Sequence, residues 1–281
     1  MLYSSVTPEA KRIAFRKGLA SGTLQQYPGA FNPLSARLIE EKGFDGVYIS
    51  GAVLANDLGL PDIGLTTLTE VANRAGQIAR MTDLPAIVDA DTGFGEPMNV
   101  ARSIQELENA GLAGCHIEDQ FNPKRCGHLD GKNVVDLDTA TKRIRAVDGL
   151  EAAQDRARAL VDAGADAIFP EAMKSLEEFA AMRAAVDVPI LANMTEFGKS
   201  DLFTYEELAS VGVNMVIYPV TLLRSAMGAA ERTLDTIKAK GTQQEDVPNM
   251  LTRARLYDLV DYEAYNRFDT SVFNFQVPGQ H

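Results

Sequence analysis

The sequence lacks any long apolar run, and it has few cysteines. No stretch of eighteen apolar residues occurs, so no membrane-spanning helix is expected. Charged residues are scattered through residues 1–22, where a secretory signal would need an apolar stretch. The two cysteines, Cys115 and Cys126, are too few and too close in sequence to form a disulfide scaffold. These absences predict a cytoplasmic, enzyme-like protein in a reducing compartment.

Positive charge is also scarce. The formal net charge is -12, and over most of the surface it would repel nucleic acid or an anionic membrane. Neither is therefore expected as a partner, and an anionic small-molecule substrate would need a locally positive site. The 281 residues are 46% hydrophobic, which is enough for a substantial core.

Short apolar segments alternate with amphipathic helical segments along the chain. Strands are predicted at 26–31, 46–50, 85–91, 113–120, 166–172, 189–194 and 214–220, with helices between most of them. Several helical segments end in glycine, which suits the left-handed position after a helix. This alternation is typical of a parallel sheet covered by helices, either doubly wound or closed into a barrel.

The sequence has no glycine-rich nucleotide-binding turn, neither G-x-G-x-x-G nor a phosphate loop. Polar residues stand instead at the carboxyl ends of the predicted strands, namely Tyr48, Ser50, Asp89, Asp91, Glu118, Glu171 and Asn193. In a closed barrel these ends meet on one face, which carries the chemistry. We therefore expect an α/β fold of the (β/α)₈ TIM type in one domain, residues 1–281. Residues 242–281 should form a helical, aromatic segment that packs on the barrel or on a neighbouring subunit.

One strand is missing from this pattern. Two helical patterns run into each other near Ala146 and Val147, where the fifth strand of a barrel should lie. Removing an interior strand would leave two unpaired edges. Either the chain is a seven-strand variant, or the printed sequence omits a strand with its loops, about 10 to 20 residues.

Three acidic residues follow neighbouring strands. Asp89 and Asp91 are two positions apart, so on a strand both side chains would point the same way, and Glu118 ends the next strand. Carboxylates brought together in this way would repel one another without a cation, which favours a Mg²⁺ site over a solvated acidic turn. Asp62 either joins them or is an ordinary turn residue after Pro61.

The segment "PKRCGHLDGK", residues 123–132, places Cys126 beside Lys124, Arg125 and His128. Neighbouring cations favour a thiolate, and the flanking glycines suit a loop that opens and closes. A proton-exchanging cysteine fits this combination. A zinc site has too few ligands, because Cys115 is expected to pack in the core. A basic surface turn remains the other reading.

Two further groups of polar residues stand at the same predicted edge. The segment "YISGAV", residues 48–53, offers backbone N–H groups and the hydroxyl of Ser50, either as a cradle for a carboxylate or as a tight turn. Glu171 and Asn193 emerge from apolar strands and should be bonded within the scaffold or to a substrate. His116 points opposite to Cys115 and is expected near the site without touching the substrate.

Six segments together resemble the isocitrate lyase and phosphoenolpyruvate mutase superfamily, and within it the methylisocitrate lyases. They are "YISGAVLANDLGLPDIG", "VDADTGFG", "HIEDQ", "PKRCGHLDGK", "FPEA" and "LANMTEFG". The resemblance implies a (β/α)₈ barrel in a homotetramer that exchanges its last barrel helix between subunits. Isocitrate lyases share "KRCGH" but are much longer, and the mutases lack it.

The resemblance also implies roles for individual residues. Mg²⁺, or Mn²⁺ in its place, would be held largely through water by Asp89 and Asp91, with Glu118 and Asp62 in the outer shell. The substrate would be bound by Ser50, Gly51 and Ala52 at one carboxylate, by Arg125, His128, Glu171 and Asn193 at the succinate half, and by Phe169 and Pro219 near its methyl group. One departure is the absence of the family's fifth-strand arginine.

The implied reaction is a retro-aldol cleavage of 2-methylisocitrate to pyruvate and succinate, in the 2-methylcitrate cycle of propionate catabolism. Tyr48 is the candidate base, Arg125 and His128 would stabilise the developing charge, and Cys126 would protonate the succinate carbon. The alternatives are a sister lyase acting on dimethylmalate, isocitrate or oxaloacetate, and a non-catalytic barrel that only binds a dicarboxylate.

Overall fold

The computed structural model describes residues 3–121, 124, 135 and 149–273. Its strands are β1 (Gln25–Pro28), β2 (Val47–Ile49), β3 (Ala86–Asp89), β4 (Gly114–His116), β5 (Leu191–Asn193) and β6 (Met215–Tyr218). The helices of the first half are α1 (Pro8–Leu19), α2 (Pro33–Glu41), α3 (Gly51–Asp57), α4 (Leu68–Ala79) and α5 (Pro97–Asn109). The second half contains α6 (Gly149–Asp162), α7 (Leu176–Ala185), α8 (Tyr205–Ser210), α9 (Thr221–Lys240), a 3₁₀ helix (Gln244–Asn249), α10 (Arg253–Leu259) and α11 (Tyr262–Phe273).

All strand pairs are parallel, and the first strand pairs with the last. The sheet β2-β3-β4 and the sheet β1-β6-β5 are joined by a bridge between Gly29 and Tyr48. A further bridge, from Ile168 to Ile190, adds the segment before Glu171 beside β5. Among the described residues β4 pairs only with β3. The order is therefore β4-β3-β2-β1-β6-β5 followed by the segment at Ile168, and the junction near Ala146–Val147 lies outside the described residues.

Side chains alternate between two faces of these strands. Val47 and Ile49 of β2 pack outward in the core beneath the helices, whereas Tyr48 between them packs inward. Ile87 of β3 and Ile217 of β6 join Tyr48 in the inner cluster. Because successive residues of a strand point to opposite faces, residues in register with Tyr48 and Ile87 face the interior. Polar residues at the carboxyl ends of the inner rows are thereby directed to one site.

The helix ends follow the local sequence. Capping boxes begin α2 at Asn32, α4 at Thr67 and α8 at Thr204, so each side chain satisfies a backbone N–H of the first turn. Gly43 and Gly212 follow α2 and α8 with φ values of 78° and 79°. The prediction of left-handed glycines at helix ends is confirmed at these positions.

Several elements differ from the expectation. The strands are shorter than predicted, and the segment predicted as a strand at 166–172 contributes only the bridge at Ile168. The segment after Ser50, which was open to reading as a tight turn, begins helix α3. The twenty-residue helix α9 was not predicted, and none of its residues is buried. Helices are recognised in a sequence from apolar residues that recur on one buried face. Because α9 buries no such face, its sequence lacks that regular spacing, and the helix was not predicted.

The C-terminal helix α10 lies against helix α2 near the start of the chain. Arg37 on α2 donates to the carbonyl of Leu259, and Arg255 on α10 pairs with Glu41. Tyr262, Phe268 and Val272, beyond this contact, carry exposed apolar surface. Within the described ranges no helix is both long and apolar enough to cross a membrane.

Candidate active site

Four carboxylates from three segments of the chain converge on one ammonium group. Nζ of Lys124 lies 2.6 Å from Asp91 Oδ1, 2.9 Å from Asp62 Oδ1, 3.5 Å from Glu118 Oε1 and 4.0 Å from Asp89 Oδ2. The residue is only 1% exposed. The structure thus brings together all the acidic residues proposed for the metal, and it joins Asp62 to them. We call these four acidic residues the carboxylate cluster.

The position of Lys124 changes one expectation. The sequence suggested that its charge would favour a thiolate at Cys126, but the ammonium is turned into the carboxylate cluster, which neutralises it. Cys126 itself, with Arg125 and His128, lies outside the described residues. A signal for the observed contact existed in the sequence, since a buried acidic group needs a compensating cation and Lys124 is the lysine or arginine nearest to Glu118 along the chain.

A tight turn, not the strand, orients Asp91. β3 ends at Asp89, so the predicted strand alternation does not extend to Asp91, which has a left-handed φ of 48°. The N–H of Asp91 donates to Asp89 Oδ1 at 2.9 Å, and Thr66 Oγ1 donates to Asp91 Oδ2 at 3.1 Å. The carbonyl of Asp91 accepts from the N–H of Glu118 at 2.7 Å. Thr66, which sequence reasoning missed, therefore helps to position Asp91.

The carboxylates do not have equal pKa values. Burial, followed by the charge of Asp89, raises the pKa of Asp91, and the same two causes raise the pKa of Glu118 to about 8. Burial also acts to raise the pKa of Asp89, but the charges of Lys124 and His116 outweigh it, and this pKa is lowered. Burial acts to lower the pKa of Lys124, yet the surrounding carboxylates raise it. The cluster therefore favours the charged forms of Asp89 and Lys124 and disfavours those of Asp91 and Glu118.

The donor set suits a hard divalent cation held through water. Carboxylate oxygens are the ligands that Mg²⁺ prefers, and it retains several waters. Within the described residues no three His, Cys, Asp or Glu side chains converge closely enough to hold an ion directly. The ammonium of Lys124 lies among these oxygens, which shows that the cluster can surround one cationic group. Residues of this kind at this spacing fit water-mediated binding.

The start of α3 lies against the carboxylate cluster. The N–H of Gly51 donates to Asp89 Oδ2 at 3.3 Å, and Ser50, the residue before the helix, is buried. A Cβ atom at Gly51 would lie only 2.8 Å from Asp89 Oδ2. Position 51 therefore needs glycine, and Ala52 follows it in the first turn of the helix.

Tyr48, His116 and Phe169 form an aromatic group beside the cluster. The hydroxyl of Tyr48 lies 2.7 Å from Nε2 of His116, which is also 3.9 Å from Asp89 Oδ1. Phe169 meets the His116 ring edge-on, with centroids 5.1 Å apart. Burial and the charge of Asp89 raise the pKa of Tyr48 well above its usual value. The phenol is therefore protonated at neutral pH, which is unfavourable for its expected role as a base.

The remaining predicted residues lie at the ends of other strands. Asn193 at the end of β5 donates from Nδ2 to Glu171 Oε1 at 3.3 Å, so these two polar residues are bonded to each other. Pro219 follows β6 and is buried, with its carbonyl close against Gly29. Cys115 packs against the core under the helices, as predicted, and burial raises its pKa to about 11.

The chain matches a known family over most of its length. The profile of the family described as phosphoenolpyruvate phosphomutase matches residues 15–149 and 146–238. A protein of Corynebacterium glutamicum named "Probable 2-methylisocitrate lyase 2" is 55% identical over 294 aligned positions, covering 98% of this chain and 96% of that protein.

Two solved structures show the same architecture. One is a 2,3-dimethylmalate lyase described as a member of the PEP mutase/isocitrate lyase superfamily, with a TM-score of 0.86 and 31% identity, covering 97% of this chain and 99% of that one. The other is a phosphonopyruvate hydrolase in complex with oxalate and Mg²⁺, with a TM-score of 0.81 and 26% identity, covering 94% and 99%. The chain therefore belongs to the phosphoenolpyruvate mutase and isocitrate lyase superfamily, and within it to the family of the 2-methylisocitrate lyases.

Proposed function

We propose that this chain is a carbon–carbon lyase that cleaves 2-methylisocitrate to pyruvate and succinate in the 2-methylcitrate cycle. The observation that carries the proposal is the convergence of Asp62, Asp89, Asp91 and Glu118 on one point at the carboxyl ends of the strands. Barrel enzymes place their chemistry at this end. The relative with 55% identity is named for this reaction.

Mg²⁺, with Mn²⁺ as a substitute, is the cofactor that this cluster would hold. Asp89 and Asp91 would bind it largely through water, and Glu118 and Asp62 would lie in the outer shell. Bound there, the ion supplies Lewis-acid stabilisation of negative charge on the substrate's hydroxyl oxygen. The Mg²⁺ bound to the phosphonopyruvate hydrolase of the same fold supports this choice of metal.

The substrate-binding residues surround the carboxylate cluster. Ser50, Gly51 and Ala52 would hold the carboxylate of the pyruvate half with the backbone N–H groups that begin α3. Glu171 and Asn193, which are bonded to each other, would hold the succinate half together with Arg125 and His128. Phe169 and Pro219 would line the space for the methyl group. Phe169 is already fixed at the site by its edge-on contact with His116.

Cys126 and Tyr48 have different proposed roles toward protons in the reaction. Cys126 is the proposed general acid that protonates the succinate carbon, and Arg125 and His128 would stabilise the charge that develops there. Tyr48 keeps its proton, and its hydroxyl is hydrogen-bonded to Nε2 of His116. We assign it a positioning role, with His116 as its partner.

A direct assay tests the proposal. The purified protein is incubated with 2-methylisocitrate and Mg²⁺, and pyruvate and succinate are measured against time. We expect equal amounts of both products, loss of the activity on addition of EDTA, and its recovery with excess Mg²⁺. The variant C126S is expected to lose most of the turnover while retaining metal binding. Near wild-type turnover in C126S, or a rate indifferent to EDTA, would contradict the mechanism.

The second candidate is a sister lyase that acts on 2,3-dimethylmalate, isocitrate or oxaloacetate. The structural similarity to a 2,3-dimethylmalate lyase is the observation behind it. A panel of these substrates, compared by kcat/KM, separates the two, and we expect 2-methylisocitrate to be preferred.

The complete fold that we propose is the eight-stranded barrel in a single domain, with one strand in question. The alignment to the C. glutamicum protein is longer than this chain, and the family profile matches in two parts that meet at residues 146–149. Both observations support a missing segment at the junction. An intact mass near 30.5 kDa would support a truly absent strand and a dicarboxylate-binding, inactive barrel. A mass about 1 to 2 kDa higher would correspond to a complete barrel.

We further propose a cytoplasmic homotetramer in which the last barrel helix is exchanged between subunits. The exposed apolar residues of α9 and α11, such as Met227, Leu234 and Phe268, support association. Sedimentation of the purified protein measures the subunit number.

A further inference from the structure

We propose that Lys124 is an internal counter-cation that competes with the divalent metal for the carboxylate cluster. In the metal-free protein its ammonium compensates the carboxylates, and the metal binds only by displacing it. The inference rests on the proposed function, because it takes the cluster to be the metal site, and it adds a control on how that site is loaded.

The ammonium of Lys124 occupies the position between the carboxylates. The distances from Nζ of Lys124 to the four carboxylate oxygens range from 2.6 to 4.0 Å, so the ammonium lies inside the cluster. A hydrated Mg²⁺ that contacted the same oxygens would need the same volume. The ammonium and the ion therefore exclude each other from this position.

Lys124 and the carboxylates stabilise each other in a buried environment. Lys124 is 1% exposed, so its ammonium has little water to stabilise it and depends on the carboxylates. The ionised members of the cluster also depend on it, because they repel one another when no cation lies between them. Lys124 thus stabilises the metal-free site, and its departure without a replacement ion would leave the carboxylates uncompensated.

A comparison with Lys11 shows what is special about this lysine. Lys11 is also buried, but its Nζ donates to the backbone carbonyls of Ala79 and Thr82, and among the residues that the structure describes no carboxylate forms a salt bridge with it. Lys11 ties α1 to the end of α4 and has no ligand to compete with. A divalent ion should therefore change the environment of Lys124 and leave that of Lys11 unchanged.

Chemical labelling of the unmodified chain tests the displacement without any variant. The protein is treated with an amine-acetylating reagent in EDTA and in saturating Mn²⁺, and the acetylated fraction of each lysine is measured by mass spectrometry. We expect the acetylation rate of Lys124 to rise by at least about tenfold in Mn²⁺, as a buried ion pair opens. Lys11 is the internal control and should stay protected in both conditions. Equal protection of Lys124 with and without bound Mn²⁺ would overturn the inference.

Metal affinity gives the second test. The dissociation constant for Mn²⁺ is measured by electron paramagnetic resonance of the free ion, for the wild type, K124M and the exposed-lysine control K174M. We expect K124M to bind Mn²⁺ at least about tenfold more tightly, because the competing charge is gone. K174M should match the wild type. An unchanged or weaker affinity in K124M would refute competition, since Lys124 would then be indifferent to the metal or assist it.

The experiments distinguish a wrong metal site from a metal site at which Lys124 does not compete. If neither the wild type nor K124M binds Mn²⁺, the proposed metal site itself is wrong, and the inference falls with it. If the wild type binds Mn²⁺ and D91N does not, the metal site stands. The labelling of Lys124 and the affinity of K124M then decide on the competition alone.

Discussion

The hydroxyl of Tyr48 on β2 contacts Nε2 of His116 on β4, at 2.7 Å and across the intervening strand β3. Two side chains from strands that are not neighbours can meet in this way because both point to the same face of the sheet and both are long enough to reach across β3. Their rings are stacked, with centroids 5.8 Å apart. The pair lies beside the carboxylate cluster, with Nε2 of His116 3.9 Å from Asp89 Oδ1.

This environment predicts that Tyr48 remains protonated in the metal-free protein well above neutral pH. Burial and the charge of Asp89 raise its pKa well above the usual value of about 10. The absorbance of phenolate near 295 nm is titrated for the wild type and for Y48F, which keeps the ring. We expect the two curves to coincide up to about pH 10, where ordinary tyrosines ionise. An extra phenolate in the wild type below that pH would restore Tyr48 as a base.

Replacing Gly51 by alanine should disrupt the metal site by steric contact alone. The added Cβ would lie 2.8 Å from Asp89 Oδ2 and 3.1 Å from its Cγ, so the carboxylate would have to move. We expect G51A to weaken Mn²⁺ binding by at least about tenfold, with a parallel loss of activity.

The matched control for G51A is G228A. Gly228 lies on α9, where a Cβ would meet only Arg232, at 3.5 Å. This substitution should leave metal binding unchanged and stabilise the helix by about 0.5 to 1 kcal/mol. Wild-type Mn²⁺ affinity in G51A would show that the carboxylate adapts, and would remove the steric argument.

Phe169 is expected to select the methyl group of the substrate. Its ring packs edge-on against the ring of His116, with the two centroids 5.1 Å apart. F169A should lower the ratio of kcat/KM for 2-methylisocitrate over isocitrate by about 10-fold to 100-fold, the usual value of one methyl contact in an apolar pocket. F197A is the control, because Phe197 follows β5 but is 96% exposed, and its ratio should not change. A ratio unaffected by F169A would place the methyl group elsewhere.

Asp83 should stabilise the protein through the first residues of the chain. Its carboxylate accepts hydrogen bonds from Ser4 Oγ, the N–H and Oγ of Ser5, and the N–H of Val6. D83A is expected to lower the free energy of unfolding by about 1 to 3 kcal/mol in urea titrations at pH 7. D155A, which removes an exposed partner of Arg158, should cost no more than about 0.5 kcal/mol.

The effect of D83A should depend on pH in a defined direction. Burial acts to raise the pKa of Asp83, but the hydrogen bonds from Ser4 and Ser5 outweigh it and lower the pKa to about 2. The unfolded value is about 3.9, so the stabilisation is fully present above that pH and is lost as the pH falls toward 2. The difference between wild type and D83A should shrink over this window. A difference that stayed constant down to pH 2 would mean that the charge of Asp83 is not involved.

Local patterns in the sequence were sufficient for the class of fold and for the acidic residues of the site. Parallel strands alternate with helices as predicted, because apolar period and helix caps are local properties. The prediction that Asp89, Asp91 and Glu118 share one edge also relied only on their positions after neighbouring strands. The resemblance to the 2-methylisocitrate lyases, drawn from short motifs, is confirmed by the relatives.

Tertiary structure decided the contacts that depend on residues far apart in the chain. Asp62 was an ordinary turn residue in one reading of the sequence, but folding brings it to 2.9 Å from Lys124. The direction of the Lys124 side chain depends on acidic side chains from three segments of the chain, and no local sequence pattern contains that combination. Tyr48 and His116 meet because the fold places β2 and β4 on either side of β3, with both side chains on the inner face. The sequence by itself thus determined which acidic groups the site contains, whereas the fold decided which partner each one has and in which direction burial and charge shift its pKa.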